Sequence, residues 1–316
     1  MAQKLYDFKL DERMELNVLI KSADIRVAKN GNQYIALVLA DTSGEMPGML
    51  WEANANQIKL FSAGTIVHMQ AVRQVYQGKP QLKVLNLALV DEQLQLTAND
   101  FVQTAPMQKQ KMVDEVSQLL FQITNPTWAR IVRYLLQKHE TTFYEFPAAK
   151  TNHHAFSGGL AFHTLSIVHL AQNVSKQYPH VNESLLLAGA LLHDLGKTIE
   201  LSGSIATTYT TAGNLIGHIT LIDEEIVLAA QALQLDIYSE DLLVLRHVVL
   251  AHHGLLEYGS PVRPMILEGQ ILHQLDELDA SIQMFDNAVA HTEPGKFSER
   301  IYGLSGRMVY HPTTKE

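Results

Sequence analysis

One change of rhythm constrains this chain more than any other feature. Apolar residues alternate in short runs up to about residue 90, and from about residue 107 they recur at helical spacing. A period of two turns one face of a strand toward a core, and a period near 3.6 does the same for a helix. A chain that switches once between them builds an all-β part followed by an all-α part.

The first part reads as "LNVLIKSADIRVA", the turn "KNGN", "QYIALVLAD", and a second Gly-rich turn leading to a short strand that ends at Trp51. After the helix-like "EANANQIKLF" come "GTIVHMQAVRQVY", the turn "QGKPQ" and "LKVLNLALV". Five strands with a helix between the third and fourth match the order of a small OB-fold barrel, expected over residues 1–105. In the second part, "PMQKQKMVDEVSQLLFQI" has one apolar face. "NPTWARIVRYLLQKHE" opens with Asn125 as a cap and Pro126 at the first helical position. These two helices predict a helical linker over 106–150. Segments near 159–177, 183–194, 214–234, 239–252 and 263–290 predict an all-α domain over 151–316. The fold class is multidomain: a β-barrel, then a helical domain.

The chain has 316 residues and no cysteine, which excludes disulfides and thiolate–metal sites. It shows no apolar signal region and no apolar run near the length of a membrane span, so a cytoplasmic protein without membrane contact is expected. Net charge is −9, unevenly spread. Residues 1–105 hold 10 basic and 11 acidic side chains, residues 106–150 hold 6 and 4, and residues 151–316 hold 8 and 18. The acidic excess sits in the helical half, where bound divalent cations would offset part of it. A homo-oligomer is compatible with this composition.

Several metal-ligating side chains stand in that half in a particular order. They are His163 in "GGLAFHTLSIV", His193 and Asp194 in "GALLHDLGKT", His218 in "LIGHIT", His252 and His253 in "LAHHG", and Asp279 in "LDELDA". Any one of them alone reads as a core or surface residue. Together, each on a helix or at a helix end within an apolar stretch, they match the way helix bundles build metal sites. Seven groups exceed the needs of one ion and suit two. Imidazole and carboxylate donors without thiolate point to Mn, Fe, Zn, Ni or Co, with Mg less natural. Asp194 is the one carboxylate beside another ligand, hence the best bridge. Gly196 is expected to let the backbone turn, aiming Lys197 at whatever the ions hold.

This order, with the doublet followed by x-Gly-Lys in "HDLGK", resembles the HD-domain phosphohydrolase superfamily in its two-metal form, over about residues 150 to 290. With the barrel in front and "HHAFSGGLAFHTLS" ahead of the doublet, essentially the whole chain resembles the YhaM-type 3′–5′ exoribonucleases. The resemblance implies that His163, His193, Asp194 and Asp279 hold one ion, and that Asp194, His218, His252 and His253 hold the other. It implies two divalent ions, with Mn foremost, and hydrolysis of single-stranded RNA, with single-stranded DNA as a further substrate, to nucleoside 5′-monophosphates. It also suggests His154 and His153 as phosphate-facing residues, against plain loop or capping roles.

Other assignments keep two readings at this stage. Lys197 contacts substrate phosphate or is a solvated helix-end lysine suited to the helix dipole. Arg300 and Arg307 clamp RNA or pack the C-terminal tail. Tyr34, Trp51 and Tyr76 stack bases or fill the barrel. Lys29, Arg73, Lys79 and Lys83 track a phosphate backbone or are ordinary solvated charges. His68, His139, His169, His180, His273, His291 and His311 read as structural. The HD core alone also permits hydrolysis of small or cyclic nucleotides, and a third alternative is a nucleic-acid adaptor without activity. The barrel and the positive balance of 106–150 favour a polymer.

Overall fold

The computed structural model of the chain describes residues 3–28, 31–76, 79–149, 154, 156–205 and 207–314. Two compact units emerge, residues 1–104 with 204–207, and residues 105–203 with 208–316. In the first, β1 (Arg13–Val27), β2 (Gln33–Asp41), β3 (Gly44–Leu50), β4 (Ile66–Tyr76) and β5 (Lys79–Leu89) close into a barrel in the order β1-β2-β3-β5-β4. All pairs are antiparallel except β3 with β5. With α1 (Ala55–Leu60) between β3 and β4, this is the expected OB-fold order.

Closure depends on β1 serving two neighbours. Its first half, Arg13 to Leu19, pairs with β4, and its second half, Leu19 to Val27, pairs with β2. The register shifts between Ile20 and Ser22, a bulge that bends the strand and increases its twist. Met14, Val18, Ile20, Leu37, Leu39 and Met69 fill the interior. Asn54 starts α1 by accepting from the N–H groups of Asn56 and Gln57, both at 3.0 Å, while the Gln57 side chain accepts from the Asn54 N–H. Reciprocal capping of this kind fixes a short helix that has little propensity of its own.

The second unit comprises α2 (Lys109–Leu119), α3 (Pro126–Lys138), α4 (Glu140–Glu145), α5 (Gly159–Gln177), α6 (Glu183–Leu192), α7 (Lys197–Glu200), α8 (Thr211–Leu215), α9 (His218–Ala232), α10 (Glu240–Leu250) and α11 (Leu267–Ala290). Every residue of α6 from Ser184 to Leu192 is buried, as its Leu, Ala and Gly content demands of a helix with no polar face. It packs against α3, α5, α10 and α11. The helices of 106–150, read from sequence as a linker, give Met112, Val116, Trp128, Ile131, Leu135 and Phe143 to the same apolar core as α5 and α6. The segment read as one helix over 214–234 is broken at Gly217, whose φ of 80° a right-handed helix does not accommodate. That break makes His218 the first residue of α9.

Candidate metal centre

Because α6 is buried on all sides, the doublet at its end emerges inside the domain: His193 is 0% and Asp194 2% exposed. Gly196 does something other than the turn expected of it. Its φ of −60° is ordinary helical backbone. A Cβ there would stand 2.2 Å from the His218 carbonyl oxygen, so the glycine is required for space. It lets the start of α9 press against the doublet and brings His218 to Asp194.

Five imidazoles are held by one device. Nδ1 of His193 lies 2.8 Å from the Ala190 carbonyl, that of His252 2.6 Å from the Val249 carbonyl, and that of His253 2.7 Å from the Tyr258 carbonyl. Nδ1 of His163 lies 2.7 Å from Asp279 Oδ2, and that of His218 3.1 Å from Glu200 Oε1. Each partner is an acceptor, so each Nδ1 donates and each Nε2 is left to present a lone pair. Acceptors of this type set tautomer and ring direction in metal-ligating histidines.

The Nε2 atoms converge on Asp194 from two sides. Its Oδ2 lies 3.5 Å from Nε2 of His163 and 3.5 Å from Nε2 of His193. Its Oδ1 lies 3.4 Å from Nε2 of His218 and 3.8 Å from Nε2 of His252. Asp276 Oδ1 joins the first group, 3.1 Å from His163 Nε2. Asp194, His218, His252 and His253 form one possible cation cluster, and His163, His193 and Asp276 another. Ligand atoms about 2.1 Å from a common ion stand roughly 3 to 3.5 Å apart, close to these separations. Asp194 Oδ1, His218 Nε2 and His252 Nε2 are buried without a hydrogen-bond partner among the described residues. Three orphaned acceptors facing one point fit a cation, and nothing else in the described structure satisfies them.

Charge runs the same way. Burial works against ionising Asp194, but Lys197 and His193 outweigh it and hold the carboxyl well below the usual range. Burial likewise opposes ionised Asp276, and His163 overrides it. Burial lowers His163, yet Asp276, Asp279 and Asp194 raise it to about 9. The carboxylates thus demand positive charge at His163, supplied by a proton or by a metal that displaces it. Burial, with His253 and His193, keeps His252 neutral, the form a ligand needs.

The sequence-derived residues fall into distinct places. Asp279 meets the Nδ1 side of His163, away from Asp194, and a third possible cluster joins it to His154 and His163. His154 Nε2 lies 2.7 Å from Asp279 Oδ2, so His154 stands behind that carboxylate. His153 and Lys29 lie outside the described residues. Lys197 Nζ donates to Asp194 Oδ2 at 2.6 Å and lines a cavity of about 520 Å³ together with Glu200, His218, His253, Asp276 and Arg307. Arg307 Nε also donates to the Leu304 carbonyl, whereas Arg300 is exposed and reaches the Gly306 carbonyl. In the barrel, Tyr34 and Trp51 stack with ring centroids 4.5 Å apart, and Trp51 and Tyr76 are exposed. Sequence reasoning missed Asp276 and Glu200. Asp276 carried a signal, because "LDELDA" holds two aspartates one turn apart. Glu200 carried none.

A family model for the HD domain matches residues 160–281. The chain is 44% identical over 313 residues to a protein of Listeria monocytogenes named 3′–5′ exoribonuclease YhaM, with 99% of each chain covered. It is 45% identical to the protein of the same name from Listeria welshimeri, again over 99% of each. For the Bacillus pumilus protein of that name the identity is 43% over 100% of both chains.

Proposed function

We propose, from the premise that this chain belongs to the YhaM family of 3′–5′ exoribonucleases, that it shortens single-stranded RNA at a two-ion centre straddled by Asp194. The chain is a 3′–5′ exoribonuclease with an HD domain, and the finer points below are inferred. The carrying observation is the division of Asp194, with Oδ2 toward His163 and His193 and Oδ1 toward His218 and His252. His163, His193, Asp276 and Asp194 would hold one divalent cation. Asp194, His218, His252 and His253 would hold the other.

The family resemblance puts Mn foremost, while a donor set of five imidazoles with carboxylates also suits Fe, Co, Ni or Zn. Divalent cations there supply Lewis acidity toward phosphoryl oxygens and acidify water near neutral pH, the chemistry a phosphodiester hydrolysis needs. The protein's own groups position and neutralise. Glu200 and Asp279 orient His218 and His163 through Nδ1. Lys197 keeps its proton, because Asp194 outweighs the burial that opposes it, and so brings fixed positive charge to the cavity wall. Arg307 offers its remaining N–H groups to a phosphate. Loss of the 3′ oxygen of the upstream residue leaves the phosphate on the released nucleotide, a nucleoside 5′-monophosphate. Single-stranded DNA is a further substrate wherever only phosphate and stacking are read. The exposed faces of Trp51 and Tyr76, and Tyr34 behind Trp51, would support the upstream strand.

No helix among the described residues is long and apolar enough to cross a membrane. The exoribonuclease reading, and not that absence, is what leads us to place the protein in the cytoplasm with its RNA. The direct test is 5′-labelled single-stranded RNA with Mn²⁺. A ladder of shortening labelled products is expected, and release of the label as a mononucleotide from the 5′ end would contradict the polarity.

A further inference from the structure

A cavity that receives polyanionic RNA has reason to exclude every carboxylate that is not otherwise occupied. Three carboxylates line this one: Glu200, Asp276 and Glu277. Glu200 accepts from both the backbone N–H and Nδ1 of His218, at 3.0 and 3.1 Å. Asp276 faces His163 Nε2 at 3.1 Å. Glu277 has no comparable task. Among the described residues its nearest basic group is Nε2 of His273 at 3.9 Å, beyond hydrogen-bond reach, and its side chain is 65% exposed.

What an ionised carboxylate offers, and a phosphate cannot use, is two strong acceptor oxygens. The 3′-terminal ribose of an RNA brings two adjacent hydroxyl donors. We propose that Glu277 accepts from the 2′- and 3′-hydroxyls of the terminal ribose and thereby selects a free 3′ end. The placement suits this. Glu277 directly follows Asp276 on α11, and Ser281, one turn further, lines the same wall. One ribose separates the 5′-phosphate of the last nucleotide from its hydroxyls, and the consecutive residues Asp276 and Glu277 line the one cavity that would hold both. A strand that continued past this point, or ended in a 3′-phosphate, would set a phosphate against Glu277. Polarity then follows from one residue's charge. The inference rests on the exonuclease reading above.

The test uses the full chain with Mn²⁺ and three 5′-labelled single-stranded RNAs, identical except for a terminal ribose diol, a terminal 2′-deoxyribose, or a 3′-phosphate. The readout is the ratio of kcat/KM for the first cleavage between ends, which cancels any common loss of folding or metal. The unmodified protein is expected to favour the diol over the deoxyribose by roughly tenfold, the size of one hydrogen bond to a charged group. It should favour the diol over the 3′-phosphate by roughly a hundredfold or more, from like-charge contact. Glu277→Gln should move both ratios toward one, while Glu277→Asp should still reject the 3′-phosphate. Equal use of all three ends by the unmodified protein would overturn the proposal, as would a Glu277→Gln variant slowed by one factor on every end. An unmodified, metal-loaded protein that shortens none of the three would instead contradict the exonuclease reading itself.

Discussion

Asp276 and Asp279, three residues apart on α11, meet opposite nitrogens of one imidazole: Asp276 lies 3.1 Å from His163 Nε2 and Asp279 2.7 Å from His163 Nδ1. Only the Nε2 side looks toward Asp194, so the geometry favours Asp276 as the ligand and Asp279 as the group that orients the ring. Asp276→Asn is expected to lose one ion of the pair together with activity. Asp279→Asn should keep both ions at saturating metal but bind one of them roughly ten- to a hundredfold more weakly, the usual cost of losing an orienting partner. Metal titration of the two variants by plasma emission checks this. Loss of the ion in Asp279→Asn with both ions kept in Asp276→Asn would return the ligand role to Asp279, and equal loss in both would remove the distinction.

Gly196→Ala tests the spacing argument. The added methyl would meet the His218 carbonyl at 2.2 Å, and the start of α9 would have to move. Overpacking of this kind costs about 1–3 kcal/mol, so Tm should fall. The ion on His218 should be lost before the ion on His163. A variant with unchanged Tm and full metal content would show that this contact relaxes freely.

The stacked Tyr34–Trp51 pair predicts where the barrel helps. Trp51→Ala removes the exposed ring and leaves the metal centre intact. A stacked base is worth about 1–3 kcal/mol, so KM for long RNA should rise roughly five- to a hundredfold with kcat nearly unchanged. Cleavage of bis-p-nitrophenyl phosphate, which has no base, should stay as it was. An unaltered KM for RNA would remove this pair from the binding surface.

The barrel was legible because alternation states which face of a strand is buried, and the strand order with its helix after the third strand follows from the turns. Asp194, His218, His252 and His253 could be picked out because imidazoles and a carboxylate at the ends of apolar helices are costly to bury unless used. Periodicity, however, gives the face of a helix and not its partner. Asp276 and Asp279 share a face of α11, and only the pose of His163 distinguishes them. Glu200 was illegible because its role depends on α7 and α9 meeting, a contact encoded by the absence of a side chain at Gly196. The helices of 106–150 read as a linker because an amphipathic pattern does not say whose core receives it.

Away from the metal centre, Glu225 gives a pH signature. Burial raises its carboxyl, but the hydrogen bonds from Lys138 at 2.6 Å and His139 at 3.3 Å outweigh that and lower it below 4.5. A folded pKa below the unfolded one adds stability that is complete above the unfolded value and is lost as pH falls toward the folded one. Glu225→Gln should therefore lower Tm near pH 7, and the gap from the unmodified protein should narrow below about pH 4.5. A gap that stays constant with pH would assign the loss to packing alone.

Asp194 carries the central claim of the proposed function, that one carboxylate would serve two cations through its two oxygens. The measurement that meets it most directly is metal content per chain, by plasma emission, for the unmodified protein and for Asp194→Ala, each purified without added chelator and confirmed folded by circular dichroism. The unmodified chain should hold two divalent ions. The variant should hold none, or well under one, and should leave RNA uncut. An Asp194→Ala chain that is folded and keeps both ions would contradict the bridging role.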